Sequence, residues 1–383
     1  MLRSLMVLGL RAILVAAIPS GALPGQEPLP TWRLDGPDLT TAQSGVELHR
    51  VRAAASLPDA GIAIADHGNL RVLILSPTGD IRRAIGREGT GPGDFQSIFD
   101  LAVHGDTIVA YDAVSLRVSL FHISGARLGT VALSRVSGRV AELRGIMAGD
   151  SYVVTTRGKF AVEQETGLRR DTVPVLLLDG RSGGTRPLHR LEWRRSFVHV
   201  MRSGTVTASS GYPAAFLGET VLTASAGRVI VVPLGTSRVE IIRRDASRAT
   251  ALTLPLPTRE VDRAMVSAYR DSLLVGARRD IQRFPNGPIQ ISASFGEAFP
   301  VPQDGAVIRV ARTVGSEVWL QAFPASRDTT AVWYVVDAVR ERLVGRLVLP
   351  RRWEVLGGDT RRVLVLQRDE LDVETVARYD IRR

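Results

Sequence analysis

The stretch IAIADHGNLRVLILSPTGDI, residues 62–81, has a counterpart in IVAYDAVSLRVSLFHISGAR, residues 108–127. Asp66 aligns with Asp112, Arg71-Val72 with Arg117-Val118 and Gly79 with Gly125, each pair 46 residues apart. Both copies open with an apolar run ending in Asp, turn over four residues, resume with Arg-Val and then meet a glycine-containing hairpin. Short β-branched runs punctuated by Asp, Ser and Gly are strands joined by tight turns. A multi-strand unit recurring every ~40–50 residues has the period of a propeller blade, not of a helical solenoid.

Weaker copies follow toward the C-terminus: VPVLLLDG (173–180), RVIVVPLGTSRVEIIRRDASRATALTL (228–254), SEVWLQAF (316–323) with AVWYVVDAVRERLVGRLVLP (331–350), and RRVLVLQRDELDVETVARYDI (361–381). Counting them predicts an all-β fold, a six-bladed β-propeller of four-stranded antiparallel blades. It would form a single domain over 31–383 after a linker at 23–30. The pattern is weakest over 138–215. TWRLDG (31–36) has no blade of its own and is expected to add a strand to the last blade, closing the ring and leaving no free sheet edge. One segment breaks the β rhythm: TREVDRAMVSAYRDSLL, 258–274. Val261, Ala264, Met265, Ala268 and Tyr269 fall at helical spacing with Thr258 as N-cap, which predicts a short inserted helix packed on the propeller or acting as a lid.

IGREGTGPGDFQ (85–96) lies between the two clearest copies and concentrates four glycines, Gly86, Gly89, Gly91 and Gly93. A phosphate-binding loop of the Walker type needs a terminal Gly-Lys-Ser/Thr, and a dinucleotide loop must open a helix. Neither follows here; the next residues are SIFDLAV and the strand TIVAYD. The stretch therefore reads as a connection between blades: glycines supply positive φ, Pro92 stiffens the turn, and Phe95 plugs the gap between adjacent sheets.

Residues 64–95 as a whole resemble an NHL-type repeat, through Asp66, Asn69, Arg71, Val72, Gly79, Gly86, Gly91, Pro92, Gly93, Asp94 and Phe95. The chain is similar to exported bacterial six-bladed propeller proteins of the NHL and TolB-like kind, with Phe323-Pro324 after Trp319 and the run Arg368 to Glu374 matching their ending. The second copy departs from the pattern, with Val114-Ser115 in place of Gly68-Asn69 and His122 where an acidic residue is usual. The resemblance implies a fold rather than an activity, because this fold hosts binding scaffolds, lactonases, lyases and dehydrogenases.

The net charge of +10 raises nucleic acid as a partner, but Lys159 is the only lysine and the arginines are scattered, mostly as pairs such as Arg82-Arg83 and Arg351-Arg352. No basic stripe forms, so no nucleic-acid partner is expected. Arg3, the apolar run 5–18 and Ser20-Gly21-Ala22 read as an export signal over 1–22. Arg11 interrupts that run, which is too short to span a bilayer, and no transmembrane segment is expected after cleavage. With no cysteine, disulfides, lipid attachment through cysteine and thiol catalysis are excluded.

Propeller hydrolases typically hold calcium through several oxygens in the channel, which makes Asp66, Asn69 and Asp112 candidates, with Asp369, Glu370, Asp372 and Glu374. Asp66 and Asp112 close equivalent strands, so repeated turn caps are the simpler reading; the C-terminal cluster reads as a solvated turn. His49, His67, His104, His122, His189 and His199 never pair at metal-ligand spacing, and no Gly-x-Ser-x-Gly elbow occurs. Lys159 has no neighbour in sequence to depress its pKa. Trp319 with Trp333 and Tyr334, and Tyr212 with Phe216, read as inter-blade packing before they read as a sugar platform.

No catalytic, cofactor-binding or metal residue and no cofactor is therefore assigned from sequence. The expected molecule is a monomeric, exported, periplasmic or extracellular, non-enzymatic module binding a protein or a small-molecule or carbohydrate ligand. The alternatives are a metal-dependent hydrolase of the lactonase or gluconolactonase kind and a carbohydrate- or peptidoglycan-associated sensor. Three or more carboxylates or amides converging on the axis would favour the hydrolase; an apolar or arginine-lined channel would favour binding.

Overall fold

The computed structural model describes residues 28–383 apart from 134–135, 137–138, 148–149, 157–164, 204–205, 215, 248, 257–258, 270, 272–303, 306 and 325–327. The expected export signal (1–22), residues 23–27 of the linker, Lys159 and Thr258 lie outside the described residues.

The chain begins with β1 (Thr31–Thr40) and then forms a four-stranded antiparallel meander, β2 (Val51–Ser56), β3 (Ile62–Asp66), β4 (Arg71–Leu75) and β5 (Ile81–Ile85). A second meander repeats it with β6 (Ile98–His104), β7 (Thr107–Asp112), β8 (Arg117–His122) and β9 (Arg127–Ala132). The third sheet has five strands: β10 (Ala141–Met147), β11 (Ser151–Thr156), β12 (Gly167–Asp179), β13 (Thr185–Ser203) and β14 (Val206–Pro213). Four strands return in β15 (Val221–Ser225), β16 (Arg228–Val232), β17 (Arg238–Arg243) and β18 (Ala249–Thr253), followed by the two-stranded pair β19 (Arg259–Glu260) and β20 (Asp304–Gly305).

The last seven strands are β21 (Ile308–Val314), β22 (Glu317–Ala322), β23 (Thr330–Asp337), β24 (Arg342–Pro350), β25 (Trp353–Gly358), β26 (Arg362–Arg368) and β27 (Glu374–Arg382). Together with β1 they make one sheet in the order β21-β22-β23-β24-β1-β27-β26-β25. The expected added strand is present, although the sheets keep free edges such as β5 and β9: β1 runs antiparallel to β27, with Arg33 opposite Arg382 and Leu34 opposite Ile381. It also touches β24 in parallel through Thr31 and Trp32. Trp32 fits there because residue 345 is glycine; a Cβ at that position would lie 2.4 Å from the indole.

Burial explains why the second strand of each unit reads as an unbroken apolar run. β3 (IAIAD) and β22 (EVWLQA) are buried at every position, being covered on both faces by neighbouring sheets, whereas β5 (IRRAI) is exposed at four of its five residues. Apolar clusters join each sheet to the next. Ala53, Ile74, Phe95, Ile98 and Phe121 lock the first two sheets, and Leu39 of β1 with Leu364 and Leu366 of β26 packs the last sheet onto Val51 and Ile64 of the first. The arrangement is all-β and propeller-like.

The glycine-rich connection behaves as its composition predicts. Gly86 (φ 81°) and Gly93 (φ 92°) take left-handed conformations, and the fully buried Phe95 ring sits between the first two sheets, 6.0 Å from the Phe121 centroid. Arg117 donates to the carbonyls of Thr90 and Asp94, clamping the connection; Arg71 makes the equivalent bond to the Glu47 carbonyl, 3.1 Å. The repeated arginine thus holds the chain that enters its own sheet.

Two expectations are corrected. The third sheet is not four-stranded: β11 covers β12 only over Val175–Asp179, and the rest of β12 runs on as a hairpin with β13, on which β14 pairs from Ser196 to Ser203. Its sequence, GLRRDTV, alternates half-buried and exposed residues, so hydrophobicity alone did not mark it as strand. The inserted helix also starts later than expected, at residue 263, after the strand at Arg259–Glu260, and its cap is Asp262, whose Oδ1 accepts the Met265 N–H at 2.8 Å.

Candidate ligand cavity

The first strand of each meander faces inward. β2 packs against β6 and β25, β15 against β10 and β21, and β21 against β25. These strands surround a cavity of about 610 Å³. That volume suits a small molecule, since ligand pockets typically measure ~300–1,000 Å³.

Irregular register decides what lines it. Pairing slips between Val51 and Ala53 in β2, between Ile98 and Asp100 in β6, and between Ile308 and Val310 in β21. Each slip is a β-bulge that leaves one residue without a cross-strand partner and re-aims it. The three residues are Arg52, Phe99 and Arg309, all exposed and all on the cavity wall. The Arg52 guanidinium lies over the Phe99 ring, 5.6 Å from its centroid.

A fourth slip, at Arg144 in β10, sends that guanidinium over the Trp193 ring at 4.0 Å, while its Nε donates to Thr155 Oγ1 at 2.9 Å and it pairs with Glu142. Arg312 donates to Glu354 Oε1 at 2.8 Å. Arg52 and Arg309 differ: no described carboxylate pairs with either, and Arg309 makes a 3.5 Å contact to Gln321 Oε1.

The acidic groups on the wall are Asp100 and Glu219. Enclosure pushes the Asp100 carboxyl above the usual carboxylate range, opposed by Arg312 and by the Leu101 N–H it accepts at 2.8 Å. Glu219 lies 3.8 Å from Arg194. His104 also borders the cavity; burial pushes its imidazole below the ordinary value against the opposing charge of Asp150.

The residues singled out from sequence stand elsewhere, His104 excepted. Asp66 is fully buried and accepts the His49 N–H at 3.0 Å, Asn69 Nδ2 at 2.9 Å and Arg71 Nε at 2.9 Å. Asp112 is equally buried and accepts three backbone N–H groups, from Gln96, Val114 and Ser115 at 2.8–3.0 Å. Both carboxylates are turn caps. Asp369 caps its own turn through Leu371 and Val373, Asp372 faces Arg352, Glu370 is exposed, and Glu374 binds Arg368 and the Val51 N–H.

His67 is pushed below its ordinary pKa by burial and by Arg52, while His122 bonds Ser124, and His49 and His189 are exposed. Trp319 and Trp333 are fully buried in the core that also holds Trp32, and Tyr334 is nearly so, which leaves them no sugar-facing surface. Phe216 packs on Tyr269 at 5.4 Å. Among the described residues no group of three or more His, Cys, Asp or Glu is placed to hold a metal ion.

Sequence reasoning missed Arg52, Phe99, Arg309, Arg144 and Trp193. The available signal was faint: in VRAAAS, IFDLAV and IRVART a large residue interrupts the start of a small or apolar strand.

No family model matches the chain, and no curated protein matches it. Solved structures do. A member of the DUF4221 family from Bacteroides vulgatus aligns with TM-score 0.53 at 8% identity, covering 93% of this chain and 100% of that one. A protein of Bacteroides fragilis aligns with TM-score 0.48 at 11% identity over 92% and 95% of the two chains. Virginiamycin B lyase from Staphylococcus aureus aligns with TM-score 0.42 at 9% identity over 91% and 99%. At such identities the likeness concerns the fold alone.

Proposed function

We propose that this chain is an exported, non-enzymatic six-bladed propeller of the NHL and TolB-like kind, with residues 31–383 as one domain, that binds a ligand in its central cavity within the cell envelope. The eight-stranded sheet reads as two four-stranded blades joined through β1: β21 to β24, and β25 to β27 with β1 as the outermost strand. With the meanders at 51–85, 98–132 and 221–253 and the five-stranded sheet, the count is six. The apolar run and small-residue site within 1–22 support export, and no helix among the described residues is long and apolar enough to cross a membrane.

The observation that carries the binding role is the cavity wall, where Arg52, Arg144, Arg309 and Arg312 face two carboxylates, Asp100 and Glu219. A hard cation requires about six to eight oxygen ligands, and a wall rich in guanidinium repels it. The hydrolase reading is not favoured on this ground.

Thermal unfolding in chelator, then with calcium, magnesium, manganese or zinc, tests the proposal when run beside lactone and ester turnover assays. A ligand confined to the native state raises the melting temperature by mass action. The expected result is a transition indifferent to all four cations and no turnover. A chelator-reversible rise with one cation, accompanied by lactone hydrolysis, would overturn it.

A further inference from the structure

Within the cavity, charge and apolar surface are distributed unevenly. Arg144 and Arg312 have carboxylate partners, Glu142 and Glu354, that stand outside the cavity lining. Arg52 and Arg309 have none among the described residues, yet both sit at bulges that turn them out of the β ladder. Beside Arg52 the Phe99 ring is 53% exposed, although it emerges from a strand whose neighbour Ile98 is fully buried. Leaving an aromatic ring and two guanidinia uncovered in a concave site forgoes burial and ion pairing that a binding partner could supply.

We propose that the cavity is a binding site for a small organic carboxylate: an acidic group held by a guanidinium of its wall, Arg52 or Arg309, and a flat apolar body against the Phe99 ring. The inference rests on the reading of the protein as a binding module and adds to it the class of ligand. Guanidinium presents a planar fork of donors that matches a carboxylate in two-point contact, and the same group stacks on rings, so Arg52 over Phe99 can serve both halves of such a molecule. The cavity volume of about 610 Å³ admits one or two fused rings and excludes a folded protein domain.

The test compares 2-naphthoate with its neutral isostere 2-naphthamide by isothermal titration calorimetry, on the wild-type chain, on the Arg52→Gln/Arg309→Gln double variant and on Phe99→Ala. These residues are exposed, so the variants should keep the wild-type melting temperature, which is measured alongside. The expected result is at least a tenfold preference of the wild type for naphthoate, lost in the double variant, with weaker binding of both compounds to Phe99→Ala. Equal affinity of the wild type for both compounds would overturn the carboxylate assignment while leaving the binding role standing. A preference that survives the double variant, or no binding of either compound at millimolar concentration, would also overturn the site. The cation and turnover assays above decide the binding role itself, independently of these titrations.

Discussion

Arg378 and Asp38, 340 residues apart, form a two-point ion pair, Nε to Oδ1 at 2.8 Å and Nη2 to Oδ2 at 2.9 Å. Arg378 belongs to β27 and Asp38 to β1, and the same guanidinium donates to the carbonyls of Ala60 and Pro77 in the turns of the first sheet. One side chain, 4% exposed, therefore ties the first strand, the last strand and the neighbouring sheet together where the two ends of the chain meet. Arg378→Ala leaves the carboxylate and two carbonyls without their donor. Asp38 itself is 38% exposed and keeps Arg362 at 3.8 Å, so the loss should be about 1–3 kcal/mol, read as a lower urea midpoint. Arg378→Lys should recover only part of that loss, because an ammonium cannot reproduce the fork.

The connection at 85–96 is tested from both sides of one contact. Phe95→Ala empties a site between two sheets and should destabilise by about 3–5 kcal/mol. Gly86→Ala should also be destabilising, since its Cβ would lie 2.3 Å from the Phe95 ring and its φ is 81°. In the double variant the clash with the ring should vanish, while the tight 3.1 Å approach to the Gly93 carbonyl and the backbone strain persist, so the two costs should not add.

Asp112 offers a test of capping against metal binding. Its carboxylate accepts three backbone N–H groups in a fully buried turn. Asp112→Ala leaves those donors unsatisfied and should cost about 1–3 kcal/mol. The loss should be the same in chelator and in calcium, as measured by parallel denaturation curves.

Glu341 links two sheets by charge. It accepts Arg243 Nε at 2.8 Å and Nη2 at 3.0 Å, binds Thr250, and lies 3.6 Å from Arg228. Arg243 and Thr250 hold its carboxyl down at about 2. A carboxyl depressed in the folded state stabilises it fully above the unfolded-chain pKa, about 4.3, and that contribution fades as pH falls toward the folded value. The stability gap between wild type and Glu341→Gln should therefore be widest near neutral pH and narrow between about pH 4.5 and 2. Urea midpoints across that range measure it.

The repeat is legible at 62–81 and 108–127 because Asp, Arg and Gly recur wherever the backbone needs a cap, a clamp or a positive φ, and those needs are local. For the same reason the glycine loop with Phe95 could be read ahead of the structure; the strand at 31–36 was expected in the last sheet because it has no sheet of its own to join. The hairpin of β12 and β13 could not. Its β12 arm alternates half-buried with exposed residues over GLRRDTV and has no fully buried face there, so no apolar alternation marks it, and Arg169, Arg170, Arg194 and Arg195 dilute what pattern exists.

The cavity wall was hidden for a different reason. Arg52 and Phe99 are 47 residues apart, one more than the repeat offset, so aligning the two copies by their motifs sets these residues out of step. Only the bulges bring them into equivalence. By itself the sequence determined the repeating sheet unit and its turns, because each depends on residues close together or on a strongly periodic apolar pattern. The tertiary structure alone decided which side chains share the cavity. Arg52, Phe99 and Arg309 come from strands up to 257 residues apart, and their side chains meet one space only through strand register and the packing of one sheet against the next.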